Sequence, residues 1–216
     1  MRLLRGTKIV EAPARWRADV ERAGREVVAD LGAGDGRFVY ESARADPSRL
    51  YVAIDPDAEA LKEYAFRAAR KPARGGVENA VFVVAAVEDL PPELSGLAAL
   101  ARVNFPWGSL LRGLLEPRTE TLRALARLLA PGGRFELLLA YDPSHDRGAF
   151  AGPPLPAATE AYARETLAPA YAAAGLAVDQ IRRLTQDEAL EVPSTWGRRL
   201  LHARPREVVL VTGTLS

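Results

Sequence analysis

Residues 25 to 45, REVVADLGAGDGRFVYESARA, narrow the choice of fold more than any other stretch. A short apolar run passes through Gly32, Gly34 and Gly36 and continues into a helical pattern at Phe38, Val39, Ser42 and Ala43. Strand, glycine turn and helix thus follow one another directly. The same order returns in RLYVAIDPDAEALKEYAFRAARK, where a strand ends at Asp55 and Pro56-Asp57 marks a helix start. AVFVVAAVEDLPPE supplies a third strand and LAALARVNFPWG a fourth. In LRALARLLAPGGRFELLLAYD a helix is expected to stop at Pro131-Gly132-Gly133 before a fifth strand. LAVDQIRRL and REVVLVTGTL read as the last two strands, making seven. Alternation of this kind implies an α/β fold with a parallel sheet covered on both faces, whose ligands bind beyond the carboxyl ends of the strands.

Composition sets the outer limits. With 216 residues, 48% hydrophobic and 26% charged, residues 1–216 are expected to form one domain. Residues 1–12 are expected to form a small hairpin beside the core, and residues 142–156, with four prolines and two glycines, an inserted loop. No run of about 18 apolar residues occurs, so no membrane span is expected. The first residues lack a long apolar stretch followed by a small-residue cleavage site, which makes the cytoplasm the expected address. The chain has no cysteine and only two histidines, so no disulfide and no metal centre is expected. A net charge of +1 means that any affinity for nucleic acid must come from clustered arginines and lysines.

Each candidate motif falls at the end of a strand. The glycines of DLGAGDG let a ligand approach the backbone, and the helix start behind them attracts an anionic group. Asp55 can accept two hydrogen bonds from a ribose diol. These features alone also suit a nicotinamide dinucleotide, or a turn that is merely structural. Asp30 weighs against the dinucleotide, because a carboxylate before the first glycine repels a pyrophosphate but pairs with the ammonium of an amino-acid-bearing cofactor. Glu88 follows the third strand, where it serves a ligand or is simply a helix-capping or solvated acid.

In RVNFPWGSLLRG, residues 102–113, a tryptophan stands where an apolar strand gives way to a helix, next to a proline that stiffens the backbone. Trp196, in PSTWGRRL, is a second tryptophan in polar surroundings. Two such rings can hold a purine taken out of its stack, or they can plug the core as Trp16 does in the plainer reading. Two basic clusters accompany them: Arg67, Arg70, Lys71 and Arg74, and then Arg198, Arg199, Arg204 and Arg206. They suit either a solvated face or a surface that reads phosphates, with folded RNA as the natural substrate.

The Asp-x-Gly-x-Gly-x-Gly pattern, followed by Asp55 and Glu88 after successive strands, resembles class I S-adenosylmethionine-dependent methyltransferases. That likeness implies a Rossmann-like, mostly parallel seven-stranded sheet with an antiparallel last strand. It implies Asp30 near the methionine amino group, Gly32 and Gly34 beneath the cofactor, Asp55 on the ribose, and Val87 and Glu88 at the adenine. A narrower match is carried by GTK, DLGAGDGRFVYESAR, KPARGG, FPWGSLLRGLL, STWGRRL and VTGTLS. Together these resemble the kanamycin-apramycin aminoglycoside-resistance methyltransferases, which modify N1 of adenine 1408 in 16S ribosomal RNA.

The resemblance implies that Trp107 and Trp196 clamp the flipped adenine, with Phe105 and Pro106 shaping the pocket floor. Ser109 and Ser194 would border cofactor and base. Arg67, Arg70, Lys71, Arg199, Arg204 and Arg206 would contact the RNA of the 30S subunit, with Arg147 as an additional contact. Asn104 is assigned to the cofactor set, and its likeness to the Asn/Asp-Pro-Pro-aromatic motif of exocyclic-amine methyltransferases leaves N6 open beside N1. A monomer is expected. The other readings are a tRNA base methyltransferase and a non-catalytic RNA-binding protein of the same fold.

Overall fold

The computed structural model describes residues 1–146, 153–204 and 206–216. Arg147 lies outside them. Nine strands form a single sheet: β1 (Arg2–Arg5), β2 (Lys8–Glu11), β3 (Val27–Leu31), β4 (Leu50–Asp55), β5 (Ala80–Val84), β6 (Ala98–Asn104), β7 (Leu129–Leu139), β8 (Leu176–Leu184) and β9 (Val208–Leu215). Their order is β2-β1-β5-β4-β3-β6-β7-β9-β8. Strands β5, β4, β3, β6 and β7 are parallel, and β9 runs antiparallel between β7 and β8.

Every residue of β3 is buried, which is why VVADL reads as an unbroken run rather than an alternating one. Val27, Ala29 and Leu31 enter the core on one face and Val28 that on the other. Helices α1 (Trp16–Ala23), α4 (Gly108–Leu115) and α5 (Thr119–Leu128) cover the first face. So does the segment running from α6 (Glu160–Tyr162) through a π-turn (Ala163–Leu167) into α7 (Ala168–Ala173). The π-turn comes just before Pro169, whose missing N–H breaks the regular helical ladder. Helices α2 (Arg37–Ala45) and α3 (Ala58–Ala68) cover the second face. A smaller cluster joins Phe105 and Leu138 to α8 (Gln186–Glu191) and α9 (Thr195–Ala203).

Two expectations shift. The N-terminal hairpin does not stand beside the core but extends the sheet, with β1 pairing antiparallel to β5 at Leu3 and Val83. Leu3 and Leu4, each 2% exposed, point into opposite cores, so the hairpin closes both faces of the β5 edge. The stop expected at Pro131-Gly132-Gly133 comes earlier, because α5 ends at Leu128 and β7 begins at Leu129. Pairing steps from Ala98–Leu129 to Leu100–Arg134, so those residues form an irregularity inside the strand, where a proline without an N–H is tolerated. Among the described residues no helix is long and apolar enough to cross a membrane.

Candidate active site

A cleft of about 780 Å³ opens at the carboxyl ends of β3, β4, β5 and β6. The glycine turn after β3 forms one wall. Gly34 has φ +58° and open space where a Cβ would stand, so a ligand can reach its backbone. At Gly32 a Cβ would lie 2.5 Å from Leu110 of α4, so absence of a side chain lets α4 pack against the turn. Asp55, at the end of β4, holds the turn in place: Oδ2 accepts from the Gly34 amide at 2.8 Å and Oδ1 from the Asp57 amide at 2.9 Å. Burial raises its pKa, and these two amides act against that rise. Each oxygen keeps acceptor capacity for a diol.

Asp30, the residue before Leu31 in β3, is 2% exposed and, unlike Asn104, is not among the residues lining the cleft. Asn104 Nδ2 donates to its Oδ1 at 2.8 Å, and Asn104 Oδ1 is buried with no protein partner. A buried carboxylate beside an unpaired amide oxygen is a cradle for a donor-rich cation. Burial pushes the Asp30 pKa up to about 7, with the Asn104 bond and the nearby Arg102 guanidinium opposing the rise.

Across the cleft, Val87 is buried and Glu88 exposed in a 3₁₀ turn whose cap makes no side-chain hydrogen bond. Both line the cleft; Glu88 caps no helix, and its exposure suits a ligand contact or a solvated acid. Ser109 and Ser194 also line it. The Ser194 hydroxyl accepts from the Gly197 amide at 3.0 Å as the cap of α9.

The mouth carries the tryptophans. Trp107 and Trp196 are brought together from residues far apart in sequence, with ring centroids 5.0 Å apart and planes at 68°. They meet edge to face, whereas a sandwiched base needs parallel faces roughly 7 Å apart. Trp107 is half-buried against two core clusters, and Trp196 is 39% exposed. Only Trp16, 8% exposed, is a core plug. Phe105 has φ +52°, is 2% exposed and anchors its amide on the Leu138 carbonyl at 3.0 Å. Pro106 is buried and absent from the cleft wall, which corrects its expected part in the floor.

Gly197 was missed. A Cβ there would stand 2.5 Å from the Phe105 ring, so it is this glycine that lets α9 close on the Trp107 loop. The signal was a glycine inside a helical pattern, which asks for a packing reason.

The basic residues divide. Arg70, Lys71, Arg74, Arg198, Arg199 and Arg204 are exposed, and Arg199 borders the cleft beside Trp196. Arg67 is engaged within its own helix, 2.6 Å from Glu63 and with its guanidinium 4.9 Å from the Tyr64 ring centre. Arg206 departs from the expected surface role. Its side chain is 3% exposed, pairs with Asp146 Oδ2 at 2.7 Å and donates to the Ala140 carbonyl at 3.1 Å. A phosphate reaches it only if that pair opens. Among the described residues no cluster of potential metal ligands occurs.

The family model described as NpmA: 16S rRNA (adenine(1408)-N(1))-methyltransferase matches residues 2–215. The chain belongs to this family. The curated 16S rRNA (adenine(1408)-N(1))-methyltransferase of Streptoalloteichus tenebrarius is 41% identical to this methyltransferase over 88% of each chain. A crystal structure of the enzyme of that name from Catenulisporales acidiphilia, a tryptophan-to-alanine mutant with cosubstrate SAM, is 30% identical. It covers 100% of this chain and 96% of the other, with a TM-score of 0.88. The aminoglycoside resistance methyltransferase NpmB1 is 34% identical over 100% of this chain and 99% of its own, with a TM-score of 0.80. The sheet is thus that of a class I S-adenosylmethionine-dependent methyltransferase, enlarged by the N-terminal hairpin.

The residues of the cleft fit that cofactor. Asn104 Oδ1, on the cleft wall with the buried Asp30 behind it, would take its ammonium, Asp55 its ribose, and the Val87–Glu88 turn its adenine. Asp55→Ala is expected to weaken S-adenosylmethionine binding by about 100-fold, since it removes charged acceptors and frees the Gly34 and Asp57 amides. Calorimetric titration checks this; an unchanged affinity removes Asp55 from the binding site.

Proposed function

We propose that this methyltransferase transfers the methyl group of S-adenosylmethionine to N1 of adenine 1408 in 16S rRNA of the 30S subunit. It would act as a cytoplasmic monomer, and the modification would give aminoglycoside resistance. The observation that carries the reading is the meeting of Trp107 and Trp196 at the mouth of the cofactor cleft, in a chain matched to the family from residue 2 to residue 215.

S-adenosylmethionine supplies an electrophilic methyl group when bound. Neutral adenine N1 has an in-plane lone pair, so no side chain has to take a proton and no histidine or metal is needed. The work of the chain is to hold and orient. Asp30 and Asn104, joined by their own hydrogen bond, would hold the amino-acid end of the cofactor, and Asp55, which accepts from the Gly34 amide of the glycine turn, would hold its ribose. The base is held at the mouth by the two indoles. Because they touch edge to face at 5.0 Å, one must move for the base to enter. Trp196 has the room, lying exposed in the first turn of α9. The methylated base is cationic, and the aromatic faces ease that charge.

Incubation with labelled S-adenosylmethionine and either 30S subunits or tRNA tests the substrate. Label in the 30S subunit alone supports the reading. Label in tRNA alone replaces it with a tRNA enzyme, and RNA binding without transfer makes the chain a silent binding module.

A further inference from the structure

The Gly6-Thr7-Lys8 turn, one of the motifs marked in the sequence, plays no part in the cleft. Gly6, at φ +61°, occupies the first central position of the two-residue turn that joins β1 to β2. A Cβ on Gly6 would touch Ala69, so the turn rests on the chain just beyond the carboxyl end of α3. Strand β1 is needed for the core through Leu3 and Leu4, but all four residues of β2 are exposed. Core packing therefore leaves β2 and its lysine unexplained.

A groove of about 470 Å³ lies between this turn and the segment after α3. Five cations line it: Arg5 and Lys8 from the hairpin, and Arg70, Lys71 and Arg74 from the other side; no acidic residue does. All five are exposed, and none forms an ion pair with a described residue. That sets them apart from Arg67, which is tied to Glu63. Arg70 is steadied by the exposed Phe66, with its guanidinium 5.0 Å from the ring centre. Five unpaired cations in one groove repel each other until an extended anion joins them.

Helix α3 joins this groove to the cleft. Its cap Asp57 and its Glu63 line the cleft, whereas Ala69 and Arg70, just past its end, line the groove. Phe66, within the helix, also lines the groove, so along α3 the two lie about 5 Å apart at their nearest and roughly 16 Å apart across its eleven residues. A folded RNA that places one nucleotide in the cleft has further phosphates at that reach.

We propose that the N-terminal hairpin is half of an RNA clamp, with Arg5 and Lys8 facing Arg70, Lys71 and Arg74 across a groove that takes the phosphate backbone of the substrate RNA. This rests on the rRNA reading above and adds the hairpin to the docking surface. Phosphate contacts fix register and orientation without reading sequence, so the groove would align the subunit while the tryptophans select the base.

The test is methyl transfer to purified 30S subunits by the unmodified chain, by the double variant Arg5→Glu/Lys8→Glu and by the milder Arg5→Gln/Lys8→Gln. Both variants should keep the kcat, S-adenosylmethionine affinity and Tm of the unmodified chain. The Glu pair should raise the KM for 30S by about tenfold and the Gln pair by less. In the Gln pair the dependence of log K on log salt should become shallower by about 2, one for each phosphate that a side chain no longer neutralises. An unchanged KM overturns the clamp while leaving the rRNA reading intact. A raised KM with an unchanged salt slope assigns the hairpin to a protein surface of the subunit and likewise overturns it. Failure of the unmodified chain to methylate 30S subunits removes the rRNA reading and this inference together.

Discussion

Trp196→Ala is expected to lower methyl transfer to 30S subunits by about 10- to 100-fold, because base stacking on one aromatic face contributes roughly 1–3 kcal/mol. Fold and cofactor affinity should be unaffected. Trp196 is 39% exposed at the start of α9, and the helix keeps its Ser194 cap without it. Its ring meets that of Trp107 at the mouth rather than a core side chain, so the interior stays filled without it. Trp107→Ala should lower activity by at least as much, but it should also cost stability. That ring packs against the central core and against the cluster of Phe105 and Leu138, where truncating an aromatic costs up to about 3–5 kcal/mol. Trp196 is therefore the cleaner probe, and Trp196→Phe should restore most of the activity. Full activity of the alanine variant, measured under single-turnover conditions with saturating S-adenosylmethionine, would remove the indole pair from the mechanism.

Asp30→Asn should divide stability from binding. In the folded protein the Asp30 carboxyl ionises near pH 7, against an ordinary value of 3.8. Below about pH 4 it is protonated in both folded and unfolded chains and carries no penalty. Between pH 4 and pH 7 the folded chain holds a proton that the unfolded chain has released, so stability falls as pH rises. Above pH 7 the full penalty of burying the charge applies, on the order of 4 kcal/mol. Asparagine can still accept from Asn104 and carries no charge. The cofactor-free variant should therefore melt roughly 8–16 °C higher at pH 8 and close to the unmodified chain at pH 4.5.

Binding should move the other way. The ammonium of S-adenosylmethionine pairs with an ionised Asp30, so cofactor affinity should climb as pH rises through 7 and a proton should leave on binding below that pH. The Asn variant should bind about 10- to 100-fold more weakly and lose this dependence. Thermal melts and calorimetry at several pH values check both halves. Tight, pH-dependent cofactor binding by the Asn variant would take the ammonium site away from Asp30.

The parts of the molecule legible in the sequence are those governed by local pattern. The glycine turn, the strand ends at Asp55 and Val84, and the helices behind them follow from periodicity and punctuation over a few residues. What escaped depends on partners far apart. The Asp30–Asn104 bond joins residues 74 apart, and nothing near either one announces it. Arg206 reads as one of a basic run, yet it is buried by Asp146, 60 residues away. The edge-to-face contact of Trp107 and Trp196 likewise depends on how α9 settles on Phe105 through Gly197. Helices α8 and α9 were legible and missed: Thr185 and Glu188 form a capping box three residues apart, and Ser194 caps the next helix.

Reverse-transcription mapping of 16S rRNA after incubating 30S subunits with the protein and S-adenosylmethionine tests the central claim most directly. Methylation at N1 blocks Watson-Crick pairing, whereas one methyl group on N6 leaves pairing possible. A strong arrest at adenine 1408, absent without S-adenosylmethionine, is the predicted result. Label incorporated into the subunit with no arrest at that position would contradict the account and assign the chemistry to N6 or to another nucleotide.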